Sequence, residues 1–377
     1  MKLSEEHTLI RDSVRKFTKN EIMPIADQMD RLENLPDDLF IKFGELGILG
    51  ITIPEEYGGA SGDPLSQVLI TEELAKGSAG VAMSYIAHSN LCAHNLYTHG
   101  NEFQRRKYLP SLCTGEKIGA SGLTEPEAGS DAMGIRTTAV RDGDFYRLNG
   151  SKMFTTNAPI ANTFIIYTKT ANPNESQGIT AFIVERKFEG FSISEKLAKM
   201  GCKCSPTSEV FLDDCMVPAG NLLLKENKGT SVMMSGLDIE RVVVAGACLG
   251  IAEIAFEVSL KYSKKRFQFG KPICNFQLIQ AKLADMYTNI EAARLLTYDT
   301  ALRTLKEPRL RKESAAAVLF TAEMATKVCL EAVQIHGGYG YMLDFPVNRY
   351  LRDVKLFEIG AGTSEIRRIL VANELLR

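Results

Sequence analysis

The stretch TTAVRDGDFYRLNGSKMFTTN, Thr137 to Asn157, is rich in β-branched and aromatic residues and contains two hairpin signals. These are Asp142-Gly143 and Asn149-Gly150, dipeptides that readily adopt the positive φ angles of tight two-residue turns. Three more strand-like runs follow, TFIIYTKT, GITAFIVE and SEVFLDD, and each is bounded by turn residues. Successive short strands of this kind predict a small antiparallel β-barrel or sandwich over residues 116–228.

The segments on either side of this β-rich part have helical patterns. Near the N-terminus, LIRDSVRKFTKNEI places apolar residues at helical spacing. In the second half, apolar residues alternate at steps of three and four, as in the seam of a bundle helix, at Phe276, Ile279, Leu283, Met286, Ile290 and Ala293. We therefore expect an α+β multidomain protein with an N-terminal α-helical domain (1–115), the β domain (116–228) and a C-terminal four-helix bundle (229–377).

The composition excludes several function classes. With 24% charged residues and a net charge of −2, the 377-residue chain lacks the basic surface that nucleic acid or an anionic membrane requires. No unbroken apolar run approaches the roughly 18 residues of a transmembrane helix, so we expect no membrane span. The acidic start MKLSEEHTLI is unlike a signal or transit peptide, which favours a cytoplasmic protein or a processed form in the mitochondrial matrix.

The cysteines and histidines do not follow the patterns of metal sites. The eight cysteines are scattered, and the closest pair, Cys202 and Cys204, is a C-x-C rather than a C-x-x-C. The five histidines include no H-E-x-x-H motif. We therefore expect reduced thiols and no bound metal.

The chain lacks G-x-G-x-x-G and P-loop motifs, and its glycine-marked stretch is GLTEPEAGSDAMG, Gly122 to Gly134. From spacing alone, a polar loop explains this stretch as well as a binding loop does. A second motif, QIHGGYGYMLDFPVNRYLRD, spans Gln334 to Asp353, and KMFTTN and RFQFGKPICNFQ lie between the two. Together these stretches resemble signatures of the acyl-CoA dehydrogenase family, and the resemblance spans essentially the whole chain.

This resemblance implies an FAD-dependent oxidoreductase that acts on a CH–CH group, in fatty acid or branched-chain amino acid catabolism. Family members convert an acyl-CoA to the 2-enoyl-CoA: a carboxylate removes the α-proton, and the β-hydrogen leaves as hydride to the flavin. Because the α-proton is weakly acidic, the site needs a base and donors that stabilise the developing enolate. The resemblance further implies a homotetramer, and electron-transferring flavoprotein as the electron acceptor.

The resemblance also assigns FAD contacts in the β domain. Leu123 and Thr124 are expected to face the flavin ring, and Ser130 to contact both the cofactor and the coenzyme A portion of the substrate. Phe154 stands where relatives usually have tryptophan, beside the ring, and Thr156 follows as a hydrogen-bonding partner. The alternative for Phe154 is a plain core aromatic residue.

A second set of FAD contacts is assigned to the C-terminal part, and it comprises Arg266, Phe269, Gln277, Gln334, Gly338, Thr363 and Glu365. The first three match a segment that reaches the FAD of a neighbouring subunit, where an arginine pairs with the pyrophosphate. Taken alone, KKRFQFGK would instead be a solvated basic face. Gln334 and Gly338 match adenosine-side contacts, while Glu365 is equally compatible with a capping or surface role.

The chain departs from the family at the usual position of the catalytic base. Most relatives carry a glutamate directly before GTS, but this chain reads EIGAGTSE and has Ala361 there, which cannot accept a proton. The isovaleryl-CoA and long-chain branches instead place the glutamate in a segment like GLDLER. This chain has GLDIER with Glu240 in that position, and its SYIAHSNLC also resembles the isovaleryl-CoA branch. The resemblance therefore makes Glu240 the catalytic base; the alternative is a carboxylate that only favours a helix N-terminus.

Helix geometry is consistent with separate roles for the residues around this glutamate. Asp238 and Arg241 are three apart and can pair on one face of a helix, whereas Glu240 lies about 200° around from Asp238. Burial of Glu240 would raise its pKa towards neutrality, which suits a general base. Asp238 and Arg241 are candidates for binding coenzyme A, and the backbone at Ala361 and Gly362 for polarising the thioester carbonyl.

Three functions remain open at this point. The first is dehydrogenation of a short, branched, isovaleryl-like acyl-CoA. The second is the same reaction on another short substrate, 2-methyl, straight-chain or cyclic, which the side chains near Ser84 to Cys92 would decide. The third is a flavin-binding scaffold without turnover, against which the retention of Glu240 argues.

Overall fold

The computed structural model describes residues 3–170, 178–307 and 310–377. The α-helices are α1 Glu5–Phe17, α2 Ala26–Leu32, α3 Leu39–Glu45, α4 Pro64–Gly77, α5 Ala79–Ile86, α6 Asn95–His99, α7 Glu102–Cys113, α8 Gly229–Lys265, α9 Gln277–Arg303, α10 Arg311–His336, α11 Pro346–Val354 and α12 Ser364–Leu375. The strands are β1 Gly119–Gly122, β2 Thr138–Asp142, β3 Phe145–Thr156, β4 Thr163–Lys169, β5 Ile179–Glu185, β6 Phe191–Ile193, β7 Thr207–Pro218, β8 Leu222–Leu223, β9 Phe267–Gln268 and β10 Lys271–Pro272. A π-helical segment, Ala87–His94, joins α5 to α6.

The order of helices, sheet and helices confirms the predicted fold class. The middle sheet has eight strands, with the path β6-β7-β3-β2-β4-β5-β8 and with β1 paired to β4. Most neighbouring strands are antiparallel, as predicted, but β1 and the end of β2 run parallel to β4. The β2–β3 hairpin separates β1 from β4 in the chain, and this connection is long enough for the crossover that a parallel pair needs. The sheet is therefore mixed rather than wholly antiparallel.

Both faces of this sheet are covered, which explains why its central strands are apolar along their whole length. On β4, Phe164 belongs to one core cluster and Tyr167 to another, because side chains alternate between the two faces. The cluster with Tyr167 also contains Met233 of α8. The sheet is thus packed against the part of α8 that precedes Glu240.

Only one of the two hairpin signals forms a turn. Gly143, with a φ of 60°, lies in the loop between β2 and β3, as the dipeptide Asp142-Gly143 predicts. The prediction of a turn at Asn149-Gly150 is wrong, because both residues lie inside β3, where the register against β7 shifts. β3 continues as one strand because it is hydrogen-bonded on both sides, to β2 and to β7. At Gly150 a Cβ would lie 2.6 Å from Oγ1 of Thr137, so the close approach of the chains requires glycine.

α8 is the centre of the helical part of the chain. It has 37 residues and packs against α4, α9 and α10. The predicted seam of α9 faces the same core through Met286, Ile290 and Ala293. α4 crosses α8 closely, since a Cβ at Gly250 would lie 2.0 Å from the carbonyl oxygen of Glu72.

The same helix passes a test of length and composition for crossing a membrane. Its most apolar window of 18 residues has a mean hydropathy of 1.9, and 78% of that window is buried against the rest of the chain. Burial of this kind is typical of a core helix that packs on other helices.

A buried ion pair anchors the loop that follows β1. Lys152 of β3 is fully buried and donates from Nζ to Oε1 of Glu125 at 2.6 Å and to the carbonyl oxygen of Leu123 at 3.3 Å. The Glu125 carboxylate also accepts from the backbone N–H groups of Arg136 and Thr137. The loop from 123 to 137 is thereby fixed to β3 at both of its ends.

We expect Lys152→Met to destabilise the protein by about 3 kcal/mol, because the substitution leaves the Glu125 carboxylate buried without its cation. Chemical denaturation followed by circular dichroism measures this loss. The double variant Lys152→Met/Glu125→Gln should recover part of it, since both charges are then removed. A Lys152→Met variant as stable as the wild type would contradict the anchoring role of the pair.

Candidate active site

Glu240 lies well inside α8, which begins at Gly229, so it does not cap a helix N-terminus. Its side chain is 6% exposed, and its carboxylate has no hydrogen-bond partner among the described residues. Burial raises the pKa of Glu240 to about 7, although the positive charges of Arg241 and Arg367 act in the opposite direction. A carboxyl group with this pKa is suited to take up a proton near neutral pH.

An ion pair next to Glu240 occupies the other face of the helix. Arg241 donates from Nη1 to Oδ1 of Asp238 at 2.9 Å, as the spacing of three residues predicts. Burial raises the pKa of Asp238 even though Arg241 attracts a proton-free carboxylate. Nε of Arg241 is buried and has no partner within the described part of the chain, so the guanidinium keeps one donor for a ligand.

The turn before α12 faces the same region as Glu240. Ala361 and Gly362 have φ angles of 55° and 92°, and Thr363 caps α12 through Oγ1, which accepts from the N–H of Ile366 at 3.3 Å. Arg367 donates to the carbonyl oxygen of Gly360, just before this turn, and its charge also acts on Glu240. Residues 360–362 and the middle of α8, which are far apart in sequence, are therefore brought together.

Tyr167 of β4 approaches Glu240 from the sheet. The phenol is buried, and burial together with the nearby charge of Glu240 raises the pKa of Tyr167. In the same core cluster, Leu123 and Leu237 are partly buried. The loop after β1 and the region around Glu240 thus share one apolar wall.

The β-domain candidates lie together at a β-bulge. The N–H of Met153 donates to the carbonyl oxygen of Thr124 at 2.7 Å, which ties the loop after β1 to β3. The next residue, Phe154, has a φ of 57° and is 62% exposed, at a register shift between Lys152 and Thr155. Phe154 is therefore not a core residue, and a left-handed conformation of an aromatic residue is strained. Such strain is typical of ligand-binding positions.

Two further candidates of the β domain flank this bulge. Thr156 pairs with Thr207 of β7 at the end of β3. Ser130 is exposed in the loop that Glu125 and Lys152 anchor. Both are placed at the surface end of the sheet rather than in its core.

The candidates of the C-terminal part surround a separate cavity. Arg266 and Gly338 line a space of about 520 Å³, and the guanidinium of Arg266 lies 5.5 Å from the ring centre of Tyr339. The hairpin between β9 and β10 carries Phe269, which is 93% exposed and has a φ of 52°. Other candidates here have exposed side chains, and these are Gln277, Gln334 and Glu365. Among the described contacts, none within one chain joins this group to the bulge at Phe154.

Three successive domain descriptions of one family match the chain. These are the acyl-CoA dehydrogenase N-terminal domain over residues 4–116, the middle domain over 120–215 and the C-terminal domain over 227–376. The chain belongs to the acyl-CoA dehydrogenase family. Members of this family are oxidoreductases that act on CH–CH groups.

Individual acyl-CoA dehydrogenases are similar over the full length. The mitochondrial isovaleryl-CoA dehydrogenase of Pongo abelii is 46% identical over 373 residues, which cover 98% of this chain and 88% of that protein. The solved structure of butyryl-CoA dehydrogenase from Megasphaera elsdenii has a TM-score of 0.97 at 41% identity, with 100% of both chains covered. A solved acyl-CoA dehydrogenase from Bacillus anthracis, complexed with FAD, has a TM-score of 0.93 at 36% identity and covers 100% of this chain and 67% of that one. The present acyl-CoA dehydrogenase uses FAD as its cofactor.

The described residues of this acyl-CoA dehydrogenase fit FAD at two places. At the bulge, the exposed ring of Phe154 offers an aromatic face, and the buried hydroxyl of Thr155 has no partner within the described residues. At the C-terminal cavity, Arg266 offers a planar pair of donors suited to a phosphate. A glycine at position 338 adds no side chain, so a ligand can approach the backbone closely.

All eight cysteines are free, and seven of them are buried, in agreement with the expected reduced thiols. Within the described ranges, no group of three or more His, Cys, Asp or Glu side chains is arranged to hold a metal ion.

Three residues of the site were not singled out by the sequence analysis. Lys152 lies in the KMFTTN stretch, but nothing in its spacing shows that it is buried against Glu125. Tyr167 belongs to an apolar strand, and Arg367 follows the GAGTSE segment. The pair Arg367-Arg368 is the only usable signal, since adjacent residues of a helix cannot both face solvent equally.

The pKa of Glu240 predicts how the stability of the protein depends on pH. A folded-state pKa of about 7, above the ordinary 4.5, means that the folded protein holds this proton more tightly. The contribution is complete below pH 4.5 and is lost as the pH rises through 7. We expect Glu240→Gln to gain roughly 3 kcal/mol over the wild type between pH 4 and pH 8. Denaturation midpoints at both pH values measure this, with the exposed Glu116→Gln as control, and an equal pH dependence in wild type and Glu240→Gln would refute the buried state.

Proposed function

We propose that this acyl-CoA dehydrogenase oxidises a short, branched, isovaleryl-like acyl-CoA to the 2-enoyl-CoA, with Glu240 as the base that removes the α-proton. The observation that carries the proposal is the buried carboxyl group of Glu240, which has no hydrogen-bond partner among the described residues and a pKa of about 7. It faces the turn at Ala361, whose methyl group cannot accept a proton. The 46% identity to an isovaleryl-CoA dehydrogenase supports the acyl group.

The roles of the chain's own residues follow from their chemistry. Glu240 takes the proton, and because water is excluded around it, the backbone N–H groups at Ala361 and Gly362 are effective donors to a developing enolate oxygen. The Asp238–Arg241 pair is the binding site for the coenzyme A portion, together with the exposed hydroxyl of Ser130. FAD, when bound, supplies the acceptor for the β-hydride.

The FAD contacts are divided between two subunits in this proposal. Residues of the β domain hold the flavin ring, and these are Leu123, Thr124, Phe154 and Thr156. The exposed hairpin and the C-terminal cavity hold FAD from a neighbouring subunit, through Arg266, Phe269, Gln277, Gln334 and Gly338, with Thr363 and Glu365 as further contacts. An exposed apolar hairpin of this kind supports a homotetramer, since a solvated Phe269 gains apolar burial on assembly. Electron-transferring flavoprotein is the proposed acceptor, and the cytoplasm or mitochondrial matrix the proposed location.

The acyl group is tested with a panel of thioesters. Isovaleryl-, butyryl-, 2-methylbutyryl- and cyclic acyl-CoA are mixed anaerobically with the holoenzyme, and bleaching of the flavin absorbance is timed. The proposal expects the highest kcat/KM for the isovaleryl thioester. A higher value for butyryl-CoA would instead support a straight-chain substrate, which the similarity to a butyryl-CoA dehydrogenase structure makes the second candidate.

We expect Glu240→Gln to keep bound FAD but to lose at least about a hundredfold in the rate of flavin reduction, the low end for loss of a general base. Stopped-flow absorbance with the best thioester measures this rate. Glu257→Gln, an exposed glutamate on the same helix, is the matched control and should reduce normally. Ala361→Glu in the Glu240→Gln background should restore part of the rate. Near-normal reduction by Glu240→Gln alone would refute its role as the base.

The strained aromatic residue at the bulge gives a separate test of the flavin site. Phe154→Gly relieves the left-handed strain while losing backbone entropy, so we expect stability to change by less than about 1 kcal/mol. Retention of FAD after dialysis should nevertheless fall, because the aromatic face is lost. Leu224→Gly is the matched control, since Leu224 is 44% exposed with a φ of 67° and lies outside the proposed site. Full FAD content in Phe154→Gly would contradict the assignment.

A further inference from the structure

Arg367 is fully buried in α12, yet within the described part of the chain its guanidinium makes one hydrogen bond, from Nη2 to the carbonyl oxygen of Gly360. Nε and Nη1 have no partner among the described residues. A buried guanidinium with unpaired donors is costly unless a nearby anion compensates its charge. The surroundings of Arg367 should therefore supply a negative charge.

Two carboxylates act on Arg367, and only one is without a cation of its own. Glu358, in the segment after α11, is paired with Lys355 at 2.6 Å. Glu240 of α8 has no such partner, because the neighbouring Arg241 donates to Asp238. Glu240 is thus the natural counter-charge of Arg367.

The groups that face Glu240 come from three elements. Arg241 lies on the same helix and has the larger effect of the two cations, Arg367 comes from α12, and the Tyr167 phenol comes from β4. The thiol of Cys248, further along α8, is also within electrostatic reach of Arg367. α12 packs on α10, which packs on α8, so Arg367 is held in this position by the bundle itself.

We propose that Arg367 is a positioning residue for the active site: its charge keeps the Glu240 carboxyl group ionised at neutral pH, and its hydrogen bond to Gly360 holds the Ala361–Gly362 turn against the same region. The catalytic consequence rests on the proposed role of Glu240 as the base. The electrostatic coupling of the two buried groups does not depend on that role.

The physical reason is the balance between burial and charge. Loss of water favours the protonated form of a carboxyl group, and a protonated carboxyl cannot remove a proton. Arg241 alone opposes this effect only in part, because Asp238 shares its charge. A second cation that has no other free anion therefore decides whether Glu240 is ready as a base at pH 7.

The coupling is measured by infrared titration of the holoenzyme, which follows the carboxyl stretching band as a function of pH. The band that is absent in Glu240→Gln identifies Glu240. In Arg367→Gln, which removes the charge but keeps a donor for Gly360, we expect its midpoint to rise by about one pH unit. In Arg367→Lys the midpoint should stay within a few tenths of the wild-type value.

The adjacent arginine provides a matched control. Arg368 lies on the same helix with a side chain that is 53% exposed and paired with Glu323, so Arg368→Gln should leave the midpoint unchanged. If Arg367→Gln yields no folded flavoprotein, Arg367→Met, which fills a similar volume without charge, is titrated in its place. An unchanged Glu240 midpoint in the folded uncharged variant overturns the proposal.

Kinetics then separate this proposal from the proposed function. A rise of one unit from a pKa of about 7 lowers the ionised fraction of Glu240 at pH 7 by about fivefold, so flavin reduction should slow by this factor and recover at high pH, with KM unchanged. A merely structural defect would slow reduction at every pH. If the infrared midpoint rises but the pH profile of reduction does not, the coupling stands and Glu240 is not the base.

Discussion

Exclusion of water from one carboxyl group on α8 is the constraint on which the site depends. The sheet packs on this helix through Tyr167, and the bundle closes over it through α10 and α12. Burial alone would drive Glu240 towards its protonated form, and two arginines oppose this, which leaves the pKa of the group at about 7. The same buried surroundings make hydrogen bonds and charges more effective than they would be in water. Acid–base chemistry near neutral pH is thus a property of the packing around Glu240 as much as of the residue itself.

The sequence predicted the elements whose patterns are local. The β-rich run, the seam of α9 and the pairing of Asp238 with Arg241 depend on spacing within one element, and the structure has all three. The Asn149-Gly150 turn failed because strand pairing on both sides of β3 outweighs the preference of a dipeptide. Three of the residues at Glu240 and at the loop after β1, namely Arg367, Tyr167 and Lys152, depend on contacts between distant segments, and no spacing pattern reports such contacts. The candidate site itself came from resemblance to a family, not from periodicity.

The strained position of Phe154 is maintained by its neighbours. On one side Lys152 is fully buried and bonded to Glu125, and on the other Thr155 is paired with Ser208 of β7. With both sides fixed, the extra residue of the bulge has to be accommodated at Phe154, and its ring is directed out of the core. A strained conformation persists only where the surrounding structure determines it in this way. The anchoring pair and the exposed ring are therefore parts of a single arrangement, in which one supplies rigidity and the other a surface for a ligand.

α8 also links the three parts of the chain mechanically. Its first turns belong to the apolar cluster of the sheet, through Val232 and Met233, while its later turns share a core with α4, α9 and α10. Loss of order in this helix would expose apolar surface in every domain at once. The chain should accordingly lose its structure in a single concerted transition, although its fold divides into three regions by eye. A substitution buried in α8, even one remote from Glu240, would then be felt as a change in the melting of the whole protomer rather than of one module.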